Sequence, residues 1–332
     1  MKKRGKGIGS IFYGTGYGNG FPDVSNAIAE LLPDGKVAIY VGATEVGQGA
    51  KTILSQIAAE VLGIPLQQIL FVCEDTATTP DAGTAAASRQ TYNTGNAIKI
   101  ASENLREEIY RLAVEHLKIN SKVGLKMADG KVYLNSFPSL AVTFKEIADT
   151  FSKQNKRKTL RVEGSFTALT TKMDEETGQG APYWPYTFSV YGVEVEVDTE
   201  TGLVEITKAV CAQDVGRAIN PKLVEGQIDG GFAMGVGYTI FEDLGLQKGE
   251  MKNRRFSNYL IPTALDIPEL EKIIIESPEE TAPYGAKGIG EPVMIGVAPA
   301  ILNAIYDAVG VRMTEIPVTP EKLLKAINKA EE

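Results

Sequence analysis

Between Trp184 and Val197 apolar and polar side chains alternate with a strictness that only a β-strand with one wet face explains. Asp198-Thr-Glu-Thr-Gly202 supplies the turn that follows, and Val204–Gln213 reads as a second strand. Beyond the loop Asp214–Pro221 comes a helix, Leu223–Gly237. Its small residues Gly226, Gly230, Ala233 and Gly237 let a neighbour pack hard against it, and Gln227 is its polar exception. The same order occurs earlier in the chain. Asn26–Leu32 and Lys36–Val41 flank the turn Pro33-Asp34-Gly35, and the second run leads through the glycine turn Gly42–Gly49 into a helix at Ala50–Leu62. This echo predicts two similar lobes of mixed sheets and helices, an α+β fold, with lobes at 1–160 and 161–332.

The remaining stretches fill in that plan. Gly5–Gly20 is glycine-rich, yet Ile8, Ile11 and Phe12 suggest a strand that places Tyr13 against something. Ile69–Cys73 reads as a strand, Ala97–Leu117 as a helix, Lys126–Tyr133 as a hairpin and Phe144–Thr150 as a short helix, with a charged connector at Lys153–Lys158. Asn258–Thr263 and Glu315–Lys322 are extended segments ending in helix starts, and Glu321–Ala330 is an amphipathic closing helix.

Composition excludes several classes of function. The chain has 332 residues, 43% hydrophobic and 23% charged, enough for two cores and unlike a disordered segment. Its net charge of −8 disfavours nucleic-acid binding, which needs a basic face. No run approaches the ~18 apolar residues of a membrane helix. The basic start Met1–Arg4 is followed by glycines instead of an apolar signal core, so a cytoplasmic protein is expected. Two cysteines, Cys73 and Cys211, and one histidine, His116, leave no thiolate set for zinc or an iron–sulfur cluster and no material for a histidine-based site. Any metal must therefore bring its own ligands.

Three stretches carry candidate chemistry. The strand, glycine turn and helix around Gly47, Gln48 and Gly49 can present backbone N–H groups to an anion, although neither a P-loop nor a dinucleotide GxGxxG spacing is present. Thr76–Asn96 is a long polar loop. Ala85, Ala86 and Ala87 would let a bulky ligand lie against the backbone, with Ser88, Arg89 and Gln90 supplying donors; it reads equally as a surface loop capping the next helix. In Gly285-Ala-Lys-Gly-Ile-Gly-Glu-Pro-Val293, three glycines and Pro292 hold Glu291 on a tight turn before an apolar helix, Met294–Val309. Glu291 is either an ordinary N-cap or a positioned base.

Taken together, Thr44-Glu-Val-Gly-Gln-Gly49, Asp81-Ala-Gly-Thr-Ala-Ala-Ala-Ser88, Asp214-Val-Gly-Arg-Ala-Ile-Asn-Pro221, Glu225-Gly-Gln-Ile-Asp-Gly-Gly231 and Gly288-Ile-Gly-Glu-Pro292 resemble, in order, the molybdopterin-binding subunit of the molybdenum hydroxylases, the xanthine dehydrogenase and aldehyde oxidase relatives. The match covers the C-terminal half of a typical subunit, so a split subunit is expected. By resemblance, Glu291 is the catalytic base. Gln48 and Gln227 bond the pterin or its oxygen ligands, and Gly47, Gly49 and Gly290 lie beside the cofactor. Thr84, Ala85 and Ala86 lie close to the metal, while Ser88, Arg89 and Gln90 lie near the dinucleotide phosphates.

Tyr13 is a candidate substrate contact. The cofactor implied is molybdopterin cytosine dinucleotide, its molybdenum held by the pterin dithiolene and carrying a terminal sulfido or selenido ligand. The partners implied are the N-terminal-half large molybdopterin subunit, an FAD subunit and a [2Fe-2S] subunit, in a dimer of heteromers. The reaction implied is hydroxylation of a small N-heteroaromatic acid with water-derived oxygen, nicotinate to 6-hydroxynicotinate being favoured. The alternatives are a xanthine, aldehyde or carbon monoxide dehydrogenase, or a non-catalytic dinucleotide-binding or assembly protein.

Overall fold

Every second residue from Gly5 to Gly9 is a glycine, and that spacing decides what can cover the first strand. A Cβ at Gly5, Gly7 or Gly9 would come within 2.2, 2.1 or 2.3 Å of the carbonyl oxygens of Ala304, Ala300 and Gly296. The helix at Val297–Val309 therefore lies directly on strand backbone, a contact that any side chain there would break.

The computed structural model describes residues 1–18, 21, 23–156 and 158–331; the end of the Gly5–Gly20 stretch and Arg157 of the connector lie outside the described residues. In chain order the elements are β1 (Lys2–Gly14), β2 (Val24–Leu31), β3 (Val37–Tyr40), α1 (Ala50–Leu62), β4 (Ile69–Val72), α2 (Gly95–Leu117), β5 (Leu125–Ala128), β6 (Lys131–Leu134), β7 (Phe137–Thr143), α3 (Phe144–Gln154) and β8 (Leu160–Thr167). They continue with β9 (Tyr186–Asp198), β10 (Val204–Asp214), α4 (Pro221–Val236), β11 (Leu246–Gln247), β12 (Glu250–Met251), β13 (Leu270–Ile275), α5 (Pro292–Ile295), α6 (Val297–Val309) and α7 (Pro320–Glu331).

The chain forms two compact units, and neither is a simple half. Unit 1 comprises Met1–Gly14, Tyr186–Ser277 and Ile289–Glu332; unit 2 comprises Thr15–Pro185 and Pro278–Gly288. A boundary at 160 misplaces two strands. β1 pairs antiparallel with β9 and so belongs to unit 1, whereas β8 pairs with β2 and stays in unit 2.

Both units use one strand plan. Unit 1 orders its sheet β1-β9-β10-β13, with two antiparallel pairs and a parallel pair at the β13 edge. Unit 2 orders its sheet β8-β2-β3-β4, again two antiparallel pairs and a parallel edge. The parallel pair is bridged by α4 in one unit and α1 in the other, as parallel strands require a crossover. Gly164 of β8 plays the part of the β1 glycines, since a Cβ there would lie 2.3 Å from Ala101 N of α2. The fold is α+β, with two similar lobes of mixed sheets and helices.

In unit 1 the inner face of β9 contributes Tyr191, Val193, Val195 and Val197 to a core shared with Phe232 of α4 and Ile301 and Ile305 of α6. Each such side chain contributes roughly 1.5–3 kcal/mol when fully buried. Unit 2 buries Leu31 and Ile39 from its sheet, Leu54 and Ile57 from α1, and Leu105 and Ile109 from α2.

Several expectations need correction. The hairpin gains a third strand, β7, which runs into α3 through a capping box between Thr143 and Glu146. Asn258–Thr263 starts no helix. The tight face of α4 is not Gly226 and Gly230, beside which nothing lies within 4 Å, but Gly231 and Gly235; a Cβ on these would meet Val293 and Val297, each at 2.5 Å. The apolar stretch after Glu291 is divided into α5 and α6 at Gly296, where a Cβ would sit 2.9 Å from the Tyr191 ring, and Ile295 at the break is 43% exposed. Among the described residues, Pro292–Val309 is also long and apolar enough to cross a membrane, contrary to the sequence reading. In this structure Val297, Ala300, Ile301, Ala304 and Ile305 of that stretch are core residues of unit 1.

Candidate active site

Unit 1 positions Glu291 through three contacts, two from β9 and one from α4. Tyr191 of β9, fully buried, donates its hydroxyl to the Val293 carbonyl at 2.5 Å. Its burial pushes the phenol far above its ordinary range, so it is a permanent donor. Ser189, two residues earlier on the same face, donates to the Pro292 carbonyl at 3.4 Å, and Gly231 of α4 presses against Val293 from the other side. These contacts fix the short helix α5, and Glu291 sits at its N-cap.

The half-buried Glu291 side chain makes no capping hydrogen bond. Its Oε2 instead accepts from the hydroxyl of Tyr13, the second-last residue of β1. An N-cap glutamate would bond the backbone of its own helix, a bond that Glu291 does not make. Tyr13 is thus a partner of the candidate base. The inner face of β9 changes character here: Thr187 and Ser189 are buried and polar, joined by Gln213 of β10, whose amide donates to Thr187 Oγ1 at 3.1 Å. Gln227 lies half-buried on α4, one turn before Gly231, and Gly290 is exposed on the turn.

Unit 2 holds the other candidate residues in two loops. Gly47 (φ 97°) and Gly49 (φ 86°) take the left-handed conformation that their turn needs. The N–H groups of this turn do not face outward for an anion. Glu45 accepts from Gly47 N at 2.7 Å, Gly49 N at 3.1 Å and Lys51 N at 2.9 Å, occupying the nest with the chain's own carboxylate. Burial alone would push its carboxyl up, but these backbone donors together with nearby Lys51 hold it below the usual range.

Gln48 bonds the backbone of its own turn, accepting from Val46 N at 2.7 Å and donating to Thr44 O at 2.9 Å. It also donates to Gln90 Oε1 at 2.8 Å, tying the turn to the second loop.

In that loop Ala87 (φ 57°) and Ser88 (φ 52°) are two successive non-glycine residues in the left-handed region. Each costs on the order of 1–3 kcal/mol, and such outliers persist where surroundings over-determine them. The buttresses are visible. Gly16 N donates to Ala87 O at 3.0 Å, and Gly288 brings its backbone so close that a Cβ would lie 1.8 Å from Ser88 O. Only glycine fits at 288.

Arg89 corrects the sequence reading. It is 1% exposed, paired with Asp23, and donates to Ala82 O at 2.8 Å, Thr84 O at 3.2 Å and Val24 O at 2.7 Å. A guanidinium engaged this way braces the loop from within and is not presented to a phosphate. Thr84, Ala85 and Ala86 are exposed, with Tyr17 bonded to the Thr84 hydroxyl. Sequence reasoning missed Asp23, Glu45 and Tyr17 as loop organisers.

These residues suit a flat, bulky cofactor. The exposed rim Thr84–Ala86 has short side chains, and among the described residues nothing lies within 4 Å of a Cβ built at Gly47. Among the described residues no three His, Cys, Asp or Glu side chains stand together to hold a metal.

Comparison with known proteins agrees with this donor set. Residues 1–268 match the family model described as "Molybdopterin cofactor-binding domain". The chain is 32% identical over 99% of its length to the xanthine dehydrogenase molybdenum-binding subunit of Escherichia coli O157:H7, covering 42% of that protein. It is 34% identical over 98% of its length to the aldehyde oxidoreductase of Megalodesulfovibrio gigas, covering 32% of it. Among solved structures, quinoline 2-oxidoreductase from Pseudomonas putida 86 superposes with a TM-score of 0.83 at 28% identity, over 99% of this chain and 42% of that one. The chain thus spans about two-fifths, or less, of the length of these relatives. On the matched domain and these identities, the chain belongs to the molybdopterin cofactor-binding domain family of the molybdenum hydroxylases.

Proposed function

We propose that this chain is the part of a molybdenum hydroxylase that carries the catalytic base, and that the whole enzyme hydroxylates an N-heteroaromatic acid, nicotinate being the first to test. The observation that carries the reading is Glu291, fixed on α5, released from capping and bonded by Tyr13. A carboxylate so held accepts a proton in the reaction, and a positioned base of this kind contributes ~10²–10⁴-fold. When bound, the molybdenum–pterin group would supply the two-electron redox chemistry. Within unit 2, the exposed rim Thr84–Ala86 and the turn Gly47–Gly49 would hold it. Likeness to a quinoline oxidoreductase supports a nitrogen-containing ring as substrate.

The reading extends to molybdopterin cytosine dinucleotide as the cofactor, with a terminal sulfido or selenido ligand. It also includes an FAD subunit, a [2Fe-2S] subunit and the remaining molybdopterin-binding polypeptide as partners, and a cytoplasmic location. The test is chemical analysis of the native complex. Molybdenum equimolar with this chain, CMP released by acid hydrolysis, and ¹⁸O from labelled water in hydroxynicotinate are expected. A complex without molybdenum would overturn the reading, and one that loads the metal but turns over only purines or aldehydes would overturn the substrate.

A further inference from the structure

The outer face of the unit 1 sheet is divided into two zones. Toward the start of β1 it is charged and internally paired: Lys2 and Arg4 bridge Glu196 at 2.5 and 3.1 Å, and Lys6 bridges Glu194 at 2.8 Å, across the β1–β9 register. Toward the end of β1 the same face is apolar. Ile8 and Phe12 are each 66% exposed, Phe188 is 51%, and Val190, Ile273 and Ile275 are 44–45%. The strand registers place these side chains in adjoining rows, with Phe12 opposite Phe188 and Ala212 between Val190 and Ile273. Phe12 stacks on Tyr186 at 4.6 Å and on Phe188 at 5.2 Å, so the aromatic surface is already ordered.

A contiguous, preorganised apolar patch with stacked aromatics on its β1–β9 side and charges at its margin has the anatomy of a protein interface. Other exposed apolar residues, such as Phe256 and Leu265, lie on irregular segments without this order.

The relatives say what is available to cover it, because more than half of their length has no counterpart in this chain. We propose that the apolar end of this face docks the polypeptide corresponding to that uncovered part, whether it is joined to this chain or made separately. The proposal rests on the reading above that this chain works within a larger molybdenum hydroxylase. The paired charges at the other end of the sheet are already satisfied and stay in water.

Photo-crosslinking on the intact complex tests this, with benzoylphenylalanine placed at Phe188 in one version and at Glu194 in another. Mass spectrometry should map the Phe188 link to sequence matching the uncovered part of the relatives and find no such link from Glu194. Links from Phe188 to a second copy of this chain, to no protein, or equally from both positions would overturn it. If no such polypeptide co-purifies at all, the larger reading of the protein fails instead. As a second arm, Phe188→Asp should weaken assembly about 30-fold or more, the effect of losing a hot-spot residue. Val190→Thr, which keeps the β-branch, should weaken it less; equal loss from both, with altered circular dichroism, would mean misfolding and count against the docking role.

Discussion

The two units repeat one strand plan but treat the loop before the sheet-covering helix in opposite ways. In unit 2 the loop leading to α2 is locked by its own side chains: Arg89 is buried on Asp23 and three carbonyls, and Gln90 is tied to Gln48. In unit 1 the equivalent loop, leading to α5 and α6, is fixed through its backbone by Tyr191, Ser189 and Gly231. The Glu291 carboxylate is left holding a phenol. The carboxylates sharpen the contrast. Glu45 and Glu291 both stand beside glycine turns before helices, yet Glu45 is fastened to three backbone N–H groups and Glu291 to none in its helix. On the reading proposed above, the glutamate fastened to its turn is scaffold and the one bonded by Tyr13 is the base.

That contrast can be broken experimentally. Glu291→Gln should lower kcat by about 10²–10⁴-fold with molybdenum content and thermal midpoint unchanged, read by steady-state kinetics and metal analysis. Near-wild-type turnover would place both glutamates in the scaffold class. Arg89→Met should destabilise unit 2 by about 3–5 kcal/mol in chemical denaturation, because it leaves Asp23 buried without its partner. If it altered only cofactor affinity, the guanidinium would face a ligand after all.

Tyr13→Phe should reduce kcat by about 10-fold or more, the worth of a hydrogen bond to a charged group, without changing stability. Glu45→Gln should cost about 1 kcal/mol, as for loss of a helix cap, and should leave kcat of the loaded enzyme intact. The folded-state carboxyl of Glu45 is held low. Its stabilisation is therefore fully present above the ordinary carboxylate pKa and disappears as pH falls through the lowered value. Limited proteolysis of the turn should show that acid sensitivity in the native protein and a flat response in the variant.

Much of the fold was legible because periodicity is local. Ala50–Leu62 matched α1 residue for residue, and the alternation through Val197 matched β9. The unit boundary was not legible, since the pairing of Lys3 with Val197 leaves no trace in either stretch alone. The strand over the glycines of β1 was expected, but their use as a bed for α6 has a meaning that exists only once helix and strand meet. At the candidate site, the turn that carries Glu291 was legible from its glycines and Pro292. The burial of Arg89 was not, because its partner Asp23 lies 66 residues away in a stretch with no pattern of its own.

Each unit is also closed by a piece of chain made late. The first strand emerges from the ribosome nearly two hundred residues before the strand it must join, and Pro278–Gly288 returns to complete a unit that otherwise ended at Pro185. Non-local pairing of this kind is slow and leaves strand edges exposed while it waits. The nascent polypeptide therefore carries an unpaired, glycine-rich edge until β9 has been made, and that interval is when a folding helper would have something to hold.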